Sequence, residues 1–487
     1  MSSTPEEPKG TYTPTPPEEL LTRAKSRSAS KRRQRMLGGS GSVTVVVALI
    51  LVGILLPGST RPSPRAGVIT VSDRIGSAYE LNANEPVGPS ATPPVAKAVE
   101  NAEVGFSLSL LDNLAKSSDP NGAGNVLVSP SSLATALAML ELGTSGATEQ
   151  GIATTLQTAG LSSAEQAAGW HSLAGLLALE TSTTGTDLGH EPELNIANAL
   201  FLQEHFAVSP AFVRALSSEF QTGLWEVNFE SDLAAATNAI NQWTSDNTKG
   251  LIQKLFSPGA LNNLTRLVLA DAVYFHADWS NRFSTITLDR PFYPTGGATE
   301  SVPFMSSPRL GTPKVFDLPV STTPAYDAVE LPYAGKKLSA LVVMPTASSL
   351  TGFVSSLTAT TLAQIVNTMS PEELQLIMPT FTERSDNQLN QTLSSMGMSQ
   401  AFDPTKSNLT GITAQPPLFV QAVEQKAYLQ VTPKGTTAAA ATGISVGMSA
   451  VEANLHPIVI DHPFLFLVRD NATGAILFAS MVENPAS

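Results

Sequence analysis

A run of small residues, Pro433-Lys-Gly-Thr-Thr-Ala-Ala-Ala-Ala-Thr442, constrains this chain more than any other stretch. It follows residues 418–431, apolar and β-branched enough to read as a strand. It opens a long loop that holds no proline between residues 435 and 456. A loop of Gly, Ala, Thr and Ser packs into a sheet interior without strain, and without proline it gives up no ladder hydrogen bond. Such a loop can convert from exposed chain to buried strand, and a chain held short of that conversion stores free energy. Thr436, Ala438, Ala440 and Thr442 alternate at period two and would share one face of the new strand. Thr437, Ala439 and Ala441 would share the other, and Gly435 supplies the backbone freedom for a hinge.

Four collinear blocks complete the pattern. They are Asn125-Val-Leu-Val-Ser-Pro-Ser-Ser-Leu-Ala-Thr-Ala-Leu-Ala-Met-Leu140, Asn241-Gln-Trp-Thr-Ser-Asp-Asn-Thr-Lys-Gly-Leu-Ile252, Leu267-Val-Leu-Ala-Asp-Ala-Val-Tyr-Phe-His-Ala-Asp-Trp279, and the closing segment from Asp461 to Pro485. With the loop they resemble the serpins, the suicide-inhibitor family that traps serine proteases, and more narrowly a membrane-anchored, bacterial-type member. The resemblance covers residues 95–487. It implies an α+β serpin fold: a helical cluster packed on a large mixed sheet A, two smaller sheets, and an exposed reactive-centre loop. The residues agree, since helical patterns dominate early and strands late, which argues against a parallel doubly wound sheet.

Composition excludes several chemistries. The 487 residues contain no cysteine, so disulfides, thiol catalysis and thiolate metal sites are out. Residues 95–487 carry 17 Lys and Arg against 34 Asp and Glu, a net of −17. Like charge repels nucleic acid and sulfated polysaccharide, and no basic stripe marks the helical segment 164–180. The six histidines (His171, His190, His205, His276, His456 and His462) show no metal-ligand spacing, and no phosphate-binding glycine loop occurs. No cofactor is expected.

The N-terminus is organised differently. Residues 1–36 read as a disordered cytoplasmic tail, rich in Pro, Thr and Glu at first and ending in Arg23, Lys25, Arg27, Lys31, Arg32, Arg33 and Arg35. An uncharged apolar run follows, and residues 37–57 are expected as a transmembrane signal anchor, since about 20 apolar residues span a bilayer. Basic residues before the run place the N-terminus in the cytoplasm and the large domain outside. The alternative is a cleaved signal peptide and a secreted protein. Residues 58–94 are expected as a Pro-rich extracellular tether.

Helices are expected near residues 95–116, 130–142 behind a Ser cap, 148–157, 164–180, 209–219, 232–247, 358–369 and 387–396. Strands are expected at 193–202, 267–275, 325–331, 339–344, 375–379, 419–431, 457–460, 464–469 and 475–482.

Two enzyme-like signals are weak. Gly443-Ile-Ser-Val-Gly447 matches the nucleophile elbow Gly-x-Ser-x-Gly, but an elbow joins a strand to a helix, and no helical pattern follows Ser445. Asp461 and His462 do follow, as adjacent residues. The chain is therefore expected not to be an enzyme.

The resemblance assigns site residues. Ser132, Asp271 and Gln425 match positions where the family holds the strands of sheet A together at their parting point with Ser, Asn and His; two of the three differ here. An Asp that accepts and a Gln that donates can keep the hydrogen bond. Trp279 matches the tryptophan near the point of loop entry. Pro433 stands where inhibitory members carry Glu, and a proline within a central strand would remove a ladder donor. Counting from Gly435 by the family's spacing puts the scissile bond at Ser449–Ala450, or at Met448–Ser449 in a loop shorter by one. Those residues suit elastase-, subtilisin- or chymotrypsin-like proteases rather than a trypsin-like pocket. The expected partner is a target serine protease held as a covalent acyl complex by a monomeric inhibitor. The alternative within the family is a non-inhibitory surface-interaction module.

Overall fold

The computed structural model describes residues 68–118, 124–181, 192–283, 288–307, 316–415, 418–436 and 457–486. Among them, eight strands form sheet A. In chain order they are β1 (Ile69–Ile75), β2 (Ala78–Ala83), β3 (Glu193–Gln203), β4 (Leu224–Val227), β5 (Leu267–Asp278), β6 (Phe381–Gln388), β7 (Ala422–Val431) and β8 (Gly435–Thr436). Their order across the sheet is β1-β2-β4-β3-β5-β8-β7-β6, with β5 also pairing directly with β7. A seven-stranded sheet and a four-stranded sheet complete the fold, so the α+β architecture and the three-sheet expectation hold.

The central strands are apolar on both faces because both are covered. Eleven of the twelve residues of β5 are buried. One face meets helix α1 (Pro93–Ser118), helix α2 (Pro130–Glu141) and the seven-stranded sheet, in a core that includes Phe106, Leu137, Phe275 and Phe478. Two further helices, α3 (Ser163–Thr181) and α4 (Pro210–Phe220), border it. The other face carries helix α5 (Leu233–Asn247) over a second cluster in which Phe201 meets Trp243 edge-on at 5.5 Å. Asp232 caps α5 by accepting from the Ala235 N–H, which satisfies one of the free donors of its first turn.

Helix α2 departs from expectation at its cap. Ser129 precedes Pro130, but its hydroxyl makes no cap bond and instead donates to the Leu477 carbonyl at 2.6 Å. The expected tether also needs correction. Of residues 58–94, β1 and β2 form an antiparallel hairpin from Ile69 to Ala83, and α1 begins at Pro93. β2 joins sheet A by pairing Tyr79 with Glu226, Glu80 with Trp225 and Leu81 with Leu224. The alternation in Ala78-Tyr-Glu-Leu-Asn-Ala83 is the strand signal that the surrounding prolines obscured.

Candidate functional site

The site lies along the seam between β5 and β7. In its lower half the two strands pair in parallel, from Ala422 with Val268 to Ala427 with Val273. In its upper part they are separated by β8, whose Gly435 and Thr436 pair with Asp278 and Ala277 of β5 while Thr436 also pairs with Val431 of β7. Gly435 and Thr436 of the small-residue run therefore already sit as a strand inside the sheet.

Local chemistry explains how the chain gets there. β7 ends in a tight turn in which the Thr432 N–H donates to the Gly435 carbonyl at 2.9 Å and the Gly435 N–H returns to the Thr432 carbonyl at 3.2 Å. Pro433 occupies the first central position of that turn, where its fixed φ is an advantage. It is not a ladder residue, so the expected cost of a missing donor does not arise. Its carbonyl accepts from the Phe283 N–H at 3.0 Å, and that of Lys434 accepts from Trp279 at 2.9 Å. Gly435 is required for a reason other than backbone freedom: a Cβ there would lie 2.0 Å from the Ala277 carbonyl oxygen. Only a bare backbone fits between the strands at that point.

Thr436 is fully buried, and its hydroxyl lies 2.8 Å from the Tyr333 hydroxyl. Burial pushes the Tyr333 phenol well above its ordinary range, so it stays a neutral hydrogen-bonding partner. Trp279 stacks on Tyr333 with centroids 4.6 Å apart and planes 11° apart, and its indole N–H donates to the Thr432 carbonyl at 2.9 Å. Trp279 thus holds the turn that leads from β7 into β8.

The lower half holds Ser132, Asp271 and Gln425, and the structure brings all three together. Asp271 and Gln425 face each other across the seam as cross-strand partners. The Ser132 hydroxyl donates to one carboxylate oxygen of Asp271 at 2.6 Å, and the Gln425 amide donates to the other at 2.5 Å. Gln425 is fully used, since its amide also donates to the Ser129 carbonyl and its oxygen accepts from the Ser129 N–H, both at 2.8 Å. Asp271 is fully buried, with no cation against it among the described residues; burial pushes its carboxyl up to about 7, and the bonds from Ser132 and Gln425 pull the other way.

Sequence reasoning missed three members of this arrangement. Asn198 on β3 donates to the Ser132 carbonyl at 3.0 Å. Asn387 on β6 donates to the Leu127 carbonyl at 2.8 Å. Glu383 on β6 accepts from Ser480 of the seven-stranded sheet, and burial pushes its carboxyl up to about 8. A glutamate and two asparagines within strands, where such residues are depleted, were the available signal.

The rest of the assigned loop, namely Thr437, Ala438, Ala439, Ala440, Ala441, Thr442 and the bond residues Met448, Ser449 and Ala450, lies outside the described residues, as does Ser445. His462 bonds Asp461 at 2.6 Å and stacks on Tyr293 at 5.1 Å. No group of three metal-ligating side chains and no helix long and apolar enough to cross a membrane occurs among the described residues; residues 1–57, including the expected span 37–57, lie outside them.

Comparison with known proteins agrees with this architecture. The family model described as Serpin (serine protease inhibitor) matches residues 101–485. Glia-derived nexin of Mus musculus is 34% identical over 370 residues, covering 74% of this chain and 88% of that protein. Leukocyte elastase inhibitor of Xenopus laevis is 31% identical over 396 residues, covering 80% of this chain and 100% of that protein. The solved structure of native protease nexin-1 with heparin superimposes with a TM-score of 0.66 at 30% identity, covering 80% of this chain and all of that one. The chain belongs to the serpin family, the serine protease inhibitors.

Proposed function

We propose that the protein is a suicide inhibitor of serine proteases of the elastase, subtilisin or chymotrypsin type. The observation that carries this reading is β8, two residues of the small-residue run seated between β5 and β7 with nothing but backbone and a threonine to accommodate. The protease serine attacks the carbonyl of Ser449, or of Met448 in the shorter register; the amide C–N bond breaks, the new amine leaves with a proton, and an acyl-enzyme ester remains. The freed N-terminal half of the loop, from Thr437 onward, continues β8 downward as a full strand. The ester-linked protease is carried with it and distorted before water completes hydrolysis. Insertion of this kind releases the free energy held in a kinetically trapped native state.

The reading includes an anchored topology, with residues 37–57 in the membrane, the serpin body outside, and a secreted form as the alternative. Because the hairpin begins at Ile69, the leash between membrane and body is residues 58–68, about 11 residues and at most roughly 40 Å. Helix α3 carries no Lys or Arg, so recruitment of a polyanion at that helix is not part of the reading.

Incubation with a panel of serine proteases followed by a denaturing gel tests the inhibitory reading. A complex that survives denaturation, with the released fragment beginning at residue 449 or 450, is the expected result. Cleavage without a complex for every protease tried would leave a non-inhibitory interaction module. Ser449→Arg, or Met448→Arg if the shorter register is found, should redirect trapping to trypsin-like proteases, whose pocket pairs a cation.

A further inference from the structure

The hairpin Ile69–Ala83 and the segment that leaves it tie together two parts of the molecule that must separate when sheet A takes in a strand. We infer that this segment is a strap that sets the rate of sheet opening, an inference that rests on the insertion reading above.

A new strand between β5 and β7 requires the block β5-β3-β4 to draw away from β7-β6. The second block is fixed to the body: Glu383 of β6 bonds Ser480, and Asn387 of β6 bonds the Leu127 carbonyl. The first block ends in β4, only four residues long and buried throughout. β2 covers that short edge. It adds three cross-strand pairs, and the Glu80 carboxylate accepts from the Gly223 N–H at 2.8 Å just ahead of β4. The approach is close, since a Cβ on Gly223 would lie 2.3 Å from the Leu81 carbonyl oxygen. On the outer face, Ala78 is buried in the cluster beneath α5 with Ala236, Ala239 and Ile240, and Ile75 packs at its margin. The hairpin therefore grips both the outermost strand of the first block and the helix lying on it.

From there the chain runs to the body past α4, the helix that leads into β4, and then α3. The Ala83 N–H donates to the Ser217 hydroxyl at 3.0 Å, the Gly88 N–H to the Ser218 carbonyl at 2.9 Å, and the Ala91 N–H to the Ser172 hydroxyl at 2.8 Å. It then enters α1, whose buried Glu103 accepts from the Ser131 hydroxyl at 2.6 Å and from the Ile476 N–H of the seven-stranded sheet at 3.0 Å. One continuous stretch of chain thus links β4 and α5 to the fixed body. The first block moves away from β7 by stripping β2 from β4, while residues 83–91 hold the hairpin in place.

The absence of cysteine from the chain makes the strap testable with one unambiguous disulfide. Tyr79→Cys with Glu226→Cys places thiols on directly opposed residues of β2 and β4. The readout is uptake of a synthetic peptide spanning residues 436–448 by the full-length chain, followed by the rise in Tm, which needs no protease. The oxidised double variant should take up peptide at least about threefold more slowly than the same protein reduced, and Gly223→Ala, which pushes β2 off, should take it up at least about threefold faster than wild type. Equal rates for the oxidised and reduced forms would overturn the strap even if Gly223→Ala fails to fold. A wild type that takes up no peptide and traps no protease would overturn the insertion reading, and the strap with it.

Discussion

The two halves of the β5–β7 seam are built from different materials. The lower half is closed by direct strand pairing and by a buried polar network around Asp271, in which the Gln425 amide crosses the join to Asp271 while its bond to the Ser129 carbonyl and that of the Ser132 hydroxyl to Asp271 tie both strands to the start of α2. The upper half is already parted, and the space holds a two-residue strand under an aromatic stack of Trp279 and Tyr333. Directional bonds resist separation until they break together, whereas small side chains beside aromatic faces slide with little loss. On the insertion reading, a sheet made this way would open from its upper end downward, with the polar network as a late barrier.

The sharpest way to break that contrast is a charge in the upper half. Thr436→Arg forces a cation into a fully buried position beside Tyr333, and Ala440→Arg places one on the same face further along the run. An unpaired buried ion costs several kcal/mol, about 3–5 by analogy with broken buried pairs. Both variants should be cleaved as ordinary substrates with loss of the covalent complex; retained complexes on a denaturing gel would show that these residues do not enter the sheet.

The lower half should answer to pH. Burial raises the Asp271 carboxyl to about 7, and Glu383 and Glu424 to about 8, above their unfolded values near 4. The folded state then holds more protons than the unfolded chain between those values, so the stability present at pH 4 is lost as pH rises through 7 to 8. For Asp271 the loss is roughly 3–4 kcal/mol. Thermal unfolding followed from pH 4 to 8 should show a falling Tm, and Asp271→Asn should flatten the fall. An unchanged slope in that variant would move the effect to the other acids.

A smaller effect is expected at the top of the seam. Gly435→Ala drives a methyl group against the Ala277 carbonyl oxygen and should unseat β8 at a cost of about 1–3 kcal/mol. Hydrogen exchange at Thr436 should accelerate while that at Gln425 stays slow. Equal acceleration at both would mean that the halves open as one.

Much of this was legible in the sequence. The small-residue run and its flanking strand gave the upper half, because alternation and proline placement are local signals; Trp279 came through the family resemblance. Ser132, Asp271 and Gln425 were legible only through the family resemblance, since three residues scattered over about 290 positions share no local pattern. Pro433 was misread as a strand residue because the turn that accommodates it depends on Gly435 two residues later. β6, reading Phe381-Thr-Glu-Arg-Ser-Asp-Asn-Gln388, is polar because it is the far edge of the sheet, and that polarity hid it. The hairpin escaped notice because its partner, β4, is a four-residue strand about 145 positions away that was itself not expected.

The register of that hairpin has a mechanical meaning for an anchored chain. Ile69 pairs with Ala83, so the residue leading toward the membrane and the residue leading into the body lie at the same end. Tension on the N-terminus would therefore open the β1–β2 ladder one pair at a time rather than shear it as a whole, while β2 stays bonded to β4 on its other side. The seven residues of β1, at about 3.3 Å each, would pay out roughly 23 Å of extra length before the body itself is loaded.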